Sequence, residues 1–94
     1  MPAQILVVDD DPAQRSDLAQ MVRSFGYEVV TASDGLEALE RLDTTPVKAI
    51  LADLVMPRMG GIEFLKELNA RGNQTPTVIL TALFWMIWYL DYGD

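Results

Sequence analysis

Three consecutive aspartates, Asp9, Asp10 and Asp11, follow directly on the apolar run Ile5-Leu6-Val7-Val8, and a fourth, Asp53, closes the run VKAILAD. A hydroxyl, that of Thr81, closes a third run, Thr77-Val78-Ile79-Leu80-Thr81. Carboxylates crowded together resist ionising unless a cation compensates them. Mg²⁺ does this well: it takes one or two carboxylates, sometimes a backbone carbonyl, and keeps several waters. Each residue has a plainer reading alone. Asp11 precedes Pro12, where an aspartate caps a helix; an aspartate at a strand end is commonly a solvated turn residue, and Thr is common in strands. The match of Asp9 and Asp10 with Asp53 at equivalent run ends is what points to a Mg²⁺ site.

The remaining composition narrows the chemistry. The 94 residues contain neither His nor Cys, which removes the commonest general base, the commonest metal ligand and any thiolate site. Lys and Arg number 7 against 14 Asp and Glu, a net charge of −7. No basic stripe exists to neutralise phosphates, so neither nucleic acid nor an anionic membrane surface is an expected partner. MPAQILVVDDD lacks the basic, apolar opening of a signal peptide, so a cytoplasmic location is expected. The apolar stretch from Val78 to Leu90 is interrupted by Thr81 and too short to cross a bilayer as a helix.

These residues need elements to position them. Ile5–Val8 has the continuous apolar character of a parallel strand buried on both faces. Asp11 as cap, Pro12 at the first helical position and Gln14 as reciprocal cap open a helix striped by Leu18, Met21, Val22 and Phe25, which Gly26 ends. A second strand follows at 27–31, then a helix capped by Ser33 and striped by Leu36, Leu39 and Leu42, which Pro46 breaks. A third strand at 47–52 leads through a loop with Pro57 and Gly60-Gly61 into a helix striped by Ile62, Leu65 and Leu68 that ends near Gly72; a fourth strand spans 77–81. Alternation with short connections predicts an α/β domain, a parallel sheet with helices on both faces. Ligands of such sheets bind beyond the carboxyl ends of the strands, where the aspartates fall.

The stretches ILVVDDDPAQR (5–15), ILADLVMPRMGG (50–61) and VILTA (78–82), in this order and spacing, resemble the receiver domain of two-component response regulators, a likeness that runs over residues 4–82. The resemblance implies a flavodoxin-like three-layer α/β/α fold with strand order 2-1-3-4-5. It implies that Asp53 accepts a phosphoryl group from the phosphohistidine of a sensor histidine kinase or phosphotransfer protein, and that the chain is not itself an enzyme. Asp9 and Asp10 match the acidic pair that holds Mg²⁺, Asp10 more directly, and Val55 matches the position whose backbone carbonyl joins them. Thr81 matches the switch hydroxyl and Ala82 the small residue that leaves room for the phosphoryl group. Met56-Pro57 and Gly60-Gly61 match the loop after the phosphorylation site.

The likeness breaks after Ala82. Family members carry a fourth helix, a fifth strand with a Lys-Pro pair and a fifth helix. The lysines here are Lys48 and Lys66, on strand three and helix three, away from the family's phosphate-contacting position. Impaired phosphorylation of Asp53 is therefore expected. Residues 1–82 read as a receiver lacking its last strand, four of five, and 83–94 as an unrelated hydrophobic tail. Leu83, Phe84, Trp85, Met86, Ile87, Trp88, Tyr89 and Leu90 are apolar on every side in either helix or strand, which marks a buried or shared element. They are expected to drive oligomerisation, most simply a homodimer in which strand four and the tail cross to a partner. The alternative is a non-signalling, self-associating protein with a relic acidic site. A third reading, a haloacid-dehalogenase-type phosphatase using Asp9 and Asp11 as a D-x-D pair, is opposed by the matches at Asp53 and Thr81.

Overall fold

In the computed structural model the described residues are 3–80. Their order is β1 (Gln4–Val8), α1 (Pro12–Ser24), β2 (Glu28–Ala32), α2 (Gly35–Thr44), β3 (Ala49–Asp53), α3 (Gly61–Ala70) and β4 (Thr77–Leu80). The four strands form one parallel sheet in the order β2-β1-β3-β4, the flavodoxin-like arrangement expected from the sequence. Central β1 is apolar from Ile5 to Val8 because both its faces are covered: Leu6, Val7 and Val8 are wholly buried.

The two faces hold separate cores. Leu6, Val8, Ile50 and Ala52 meet Ala38 and Leu39 of α2 and Phe64 and Leu68 of α3. On the opposite face Ile5 and Val7 meet Val22 and Leu18 of α1, with Val29, Ala49 and Leu51 beside them. The result is three layers, with α2 and α3 on one side and α1 on the other.

Several local expectations are corrected. The cap of α2 is Asp34, not Ser33: the Asp34 carboxylate accepts the Glu37 N–H at 2.9 Å, and the Glu37 carboxylate in turn accepts the Ser33 N–H at 2.7 Å. Asp11 does cap α1, accepting from the Ala13 and Gln14 N–H groups. The reciprocal bond assigned to Gln14 is replaced by one from the Asp11 N–H to the Asp9 carboxylate at 2.9 Å. The buried face of α3 is Gly61, Phe64 and Leu68, while Ile62 and Leu65 stand exposed. Phe64 and Leu68 lie four apart and Phe64 fills far more of the core than Ile62 would, so the bulkier pair sets the helix rotation. On α1, Ala19 and Val22 are buried whereas Met21 and Phe25 are exposed. Lys48 precedes β3 rather than lying within it.

Candidate functional site

The carboxyl edge of the sheet gathers the aspartates by register. β1 pairs with β3 from Ile5 opposite Ala49 to Val8 opposite Ala52. The residue following each pair is Asp9 on one strand and Asp53 on the other. The Asp9 N–H still donates to the Ala32 carbonyl at 3.1 Å, so Asp9 is held as a continuation of the sheet. Carboxylate oxygens of Asp9, Asp10 and Asp53 lie within 4.8 Å of one another. Asp9 is almost wholly buried at 1% exposure, Asp53 is half-buried and Asp10 faces solvent.

The electrostatics of the cluster follow from this placement. Asp9 Oδ1 accepts the Asp11 N–H, but Asp9 Oδ2 is buried with no hydrogen-bond partner among the described residues. A buried anionic oxygen without a donor is costly and calls for a cation or proton. Burial, reinforced by the charges of Asp10 and Asp11, pushes the Asp9 carboxyl above the ordinary carboxylate range against the pull of the Asp11 N–H. Burial and then the charge of Asp9 push Asp53 up likewise, although its Oδ1 accepts the Leu54 N–H at 2.9 Å. Oxygen donors of unsatisfied negative charge, close together and partly open to water, fit a hard divalent cation with retained waters.

The loop from Leu54 to Gly60 is fixed at both ends. The Gly61 N–H donates to the Leu54 carbonyl at 2.9 Å, and a Cβ on Gly61 would collide with the Asp53 carbonyl oxygen. Only glycine lets α3 begin this close to the end of β3. At the other side, the Gly35 N–H donates to the Met59 carbonyl at 3.0 Å, and Arg58 Nε reaches Asp34 Oδ2 at 2.7 Å. Arg58 adopts φ 63°, a left-handed conformation uncommon outside glycine. Val55 stands on the outside of this loop with an exposed side chain, and Met56 is buried into the core beside α3.

Asp9, Asp10 and Asp53 are thus brought together, with Val55 on the loop that leaves Asp53. Asp11 is occupied as the α1 cap, which weighs against a D-x-D pair with Asp9. Lys48 lies at the amino edge of the sheet, remote from the cluster, and Lys66 is exposed on α3. Thr81, Ala82 and the apolar residues Leu83 to Leu90 lie outside the described residues. Sequence reading missed three participants. Arg15 donates from Nη1 to the Asp9 carbonyl at 2.8 Å, bringing a cation to the cluster, and Asp34 with Arg58 ties down the loop after Asp53. Arg15 lies within the first stretch that resembles a receiver and carried a findable signal; the Asp34–Arg58 pair is separated by 24 residues and left none.

Comparison with known proteins gives a consistent picture. Residues 5–84 match the family model described as response regulator receiver domain. The response regulator MprA of Mycobacterium sp. (strain KMS) is 42% identical over 82 residues, covering 87% of this chain and 36% of the relative. MprA of Mycobacterium tuberculosis (strain ATCC 25177 / H37Ra) is 40% identical with the same coverage, so the chain spans about a third of the length of these relatives. Among solved structures, chemotaxis protein CheY4 of Vibrio cholerae superposes with a TM-score of 0.78 at 34% identity, over 84% of this chain and 68% of that one. The receiver domain of sensor histidine kinase PA1611 from Pseudomonas aeruginosa PAO1, solved with a magnesium ion coordinated in its active site cleft, gives 0.80 at 32% identity, over 87% and 69%.

Proposed function

The chain belongs to the response regulator receiver family, and on that premise we propose that it is a phosphoacceptor module of a two-component phosphorelay with Asp53 as the acceptor. The observation that carries this reading is the buried, unpartnered Asp9 Oδ2 within 4.8 Å of the Asp10 and Asp53 carboxylates. Mg²⁺ would be held by Asp9, Asp10, Asp53 and the Val55 carbonyl. When bound, it offsets the negative charge of the incoming phosphoryl group and orients it. A free Asp53 oxygen attacks the phosphorus of a phosphohistidine on a sensor kinase or phosphotransfer protein. The P–N bond breaks, the electron pair returns to the imidazole nitrogen, and an acyl phosphate is left on Asp53. The Leu54 N–H holds the other Asp53 oxygen and so fixes the direction of attack. Thr81 is the hydroxyl we assign to the phosphoryl group after transfer.

Within this 94-residue chain the transfer is expected to be slow. Lys48 precedes β3 at the opposite end of the strand from Asp53 and Lys66 is exposed midway along α3, and a cation on a transferring phosphoryl group commonly contributes about 3 kcal/mol to the transition state. Arg15, anchored to the Asp9 carbonyl, supports binding of an anionic donor without standing in for that contact. Incubation with acetyl phosphate and Mg²⁺, read by intact mass, tests the proposal. One phosphoryl group should be gained slowly, lost on hydroxylamine treatment and absent from Asp53→Asn. Labelling that persists in Asp53→Asn places the acceptor elsewhere.

A further inference from the structure

Among the described residues, Arg58 is the one outside glycine with a left-handed backbone, at φ 63°. Glycine adopts that conformation at no steric cost, whereas a residue with a Cβ is strained in it. Strain of this kind persists only where the surroundings hold it, and it gathers at functional sites. What holds Arg58 is the start of α2. Its Nε donates to Asp34 Oδ2 at 2.7 Å, while Asp34 Oδ1 accepts the Glu37 N–H as the helix cap. Both oxygens of this buried carboxylate are thereby used, one within the helix and one toward the loop. The next residue along each segment adds a second rung, from the Gly35 N–H to the Met59 carbonyl at 3.0 Å. The two segments press so close that a Cβ on Gly35 would stand 2.9 Å from that carbonyl oxygen. The backbone bonds from the loop to β4 and α3 both fall on Leu54, through its N–H to the Leu80 carbonyl and its carbonyl from the Gly61 N–H. Among the described residues, the hydrogen bonds that tie residues 57–59 to the rest of the fold are the two rungs to α2.

We propose that the Asp34–Arg58 contact is a latch that sets the cation affinity of the aspartate cluster, because through it the start of α2 positions the loop that leaves Asp53. This rests on the Mg²⁺ site assigned above, and goes further in making that site depend on a helix that supplies none of its ligands. Val55, whose carbonyl is assigned to the cation, lies in the same loop as Arg58. A ligand on a loop already held in place binds more tightly, because less order must be imposed on binding. Asp34 and Arg58 are positioning residues, each occupied with the other and acting through the backbone between them. Such coupling is reciprocal: a latch that raises cation affinity is itself tightened by the cation. Long-range charge predicts the opposite sign. Arg58 is a cation in a chain of net charge −7, so on charge alone its removal should strengthen cation binding.

The test is a Mg²⁺ titration of the full chain, followed by the amide shifts of residues 9, 10 and 53. Arg58→Gly removes the contact yet suits the left-handed backbone, so its urea midpoint should stay close to that of the wild type. Asp34→Asn keeps a capping residue but turns an amide donor toward Arg58. Each variant should raise the Kd for Mg²⁺ about fivefold or more, and the double variant no further than the larger single effect, since both break one contact. In the wild type, saturating Mg²⁺ should slow hydrogen exchange at the Gly35 and Glu37 N–H groups, and at equal saturation Arg58→Gly should lose that slowing. An affinity in Arg58→Gly equal to or tighter than wild type overturns the latch and leaves the cation site standing, and so do effects of the two substitutions that simply add. A wild type without saturable shifts at residues 9, 10 and 53 overturns the cation site, and the latch with it.

Discussion

Replacing Asp9 by Asn should make the metal-free protein more stable. Asp9 Oδ1 accepts the Asp11 N–H, a role an Asn carbonyl can keep, though more weakly than a carboxylate. The buried Oδ2, now without a partner, becomes an amide donor facing acceptor carboxylates. The substitution also removes the repulsion between Asp9 and its neighbours. Charges within 4.8 Å of one another, at an effective dielectric constant of about 20, repel by roughly 3.5 kcal/mol or more per pair. Solvent at the open side of the cluster and relaxation of the exposed Asp10 screen much of this, so a net gain of about 1–3 kcal/mol is expected. In a domain of this size that corresponds to roughly 4–8 °C in Tm per kcal/mol. Urea denaturation at neutral pH in EDTA measures the gain. The same titration with Mg²⁺ should stabilise the wild type by mass action and Asp9→Asn much less. Asp10→Asn, at an exposed carboxylate, should gain less in EDTA. The reasoning is refuted if Asp9→Asn is no more stable than wild type without metal, or if both gain equally from Mg²⁺.

Asp34→Ala should cost about 1–2 kcal/mol, because it removes the cap of α2 while the ion pair with a largely exposed Arg58 adds only a fraction of a kcal/mol; thermal melts check this. The Asp34 carboxyl is held below its ordinary value of 3.8, first by the hydrogen bond from Arg58, so its contribution is present above that pH and lost as the pH falls below it. Asp34→Asn should flatten that part of the acid limb in a stability-against-pH series, and an unchanged limb would rule the assignment out. Gly61→Ala should destabilise by about 1–3 kcal/mol and displace the end of β3, since its Cβ meets the Asp53 carbonyl; heteronuclear NMR should show the largest shifts at 53–61.

The parallel sheet was legible because its central strand cannot be anything else. Four consecutive apolar residues between a polar start and three aspartates fit burial on both faces, and Leu6, Val7 and Val8 are wholly buried. Helix ends were legible where one residue type is required: Gly26 and Gly72 follow α1 and α3 at φ 93° and 72°. The faces of the helices were less so. Hydrophobic spacing on α3 admits two rotations, one through Ile62 and Leu65 and one through Gly61, Phe64 and Leu68. Only the close approach of Gly61 to β3 selects the second. At the start of α2, Ser33 and Asp34 are both good caps, and nothing local ranks them; the Arg58 side chain arriving from the β3–α3 loop favours the carboxylate.

That same pair shows why the candidate site is more than its three aspartates. A left-handed Arg58 costs about 1–2 kcal/mol relative to ordinary backbone, and a surface-facing ion pair offsets less than that. The loop is therefore held in its conformation by the sum of its ties, with no single contact sufficient. These are the Gly61–Leu54 and Gly35–Met59 backbone bonds, the Arg58–Asp34 contact and the burial of Met56. Together these ties join the segment after Asp53 to α3, to the start of α2 twice over, and to the core between them. The position of Val55 relative to Asp53 is consequently set by the packing of the whole α2–α3 layer. Asp9, by contrast, is set by the sheet through its bond to Ala32. A cation held between Asp9 and the loop would bridge two independently anchored parts of the fold. Binding there would report on their relative position as much as on the charge of the carboxylates.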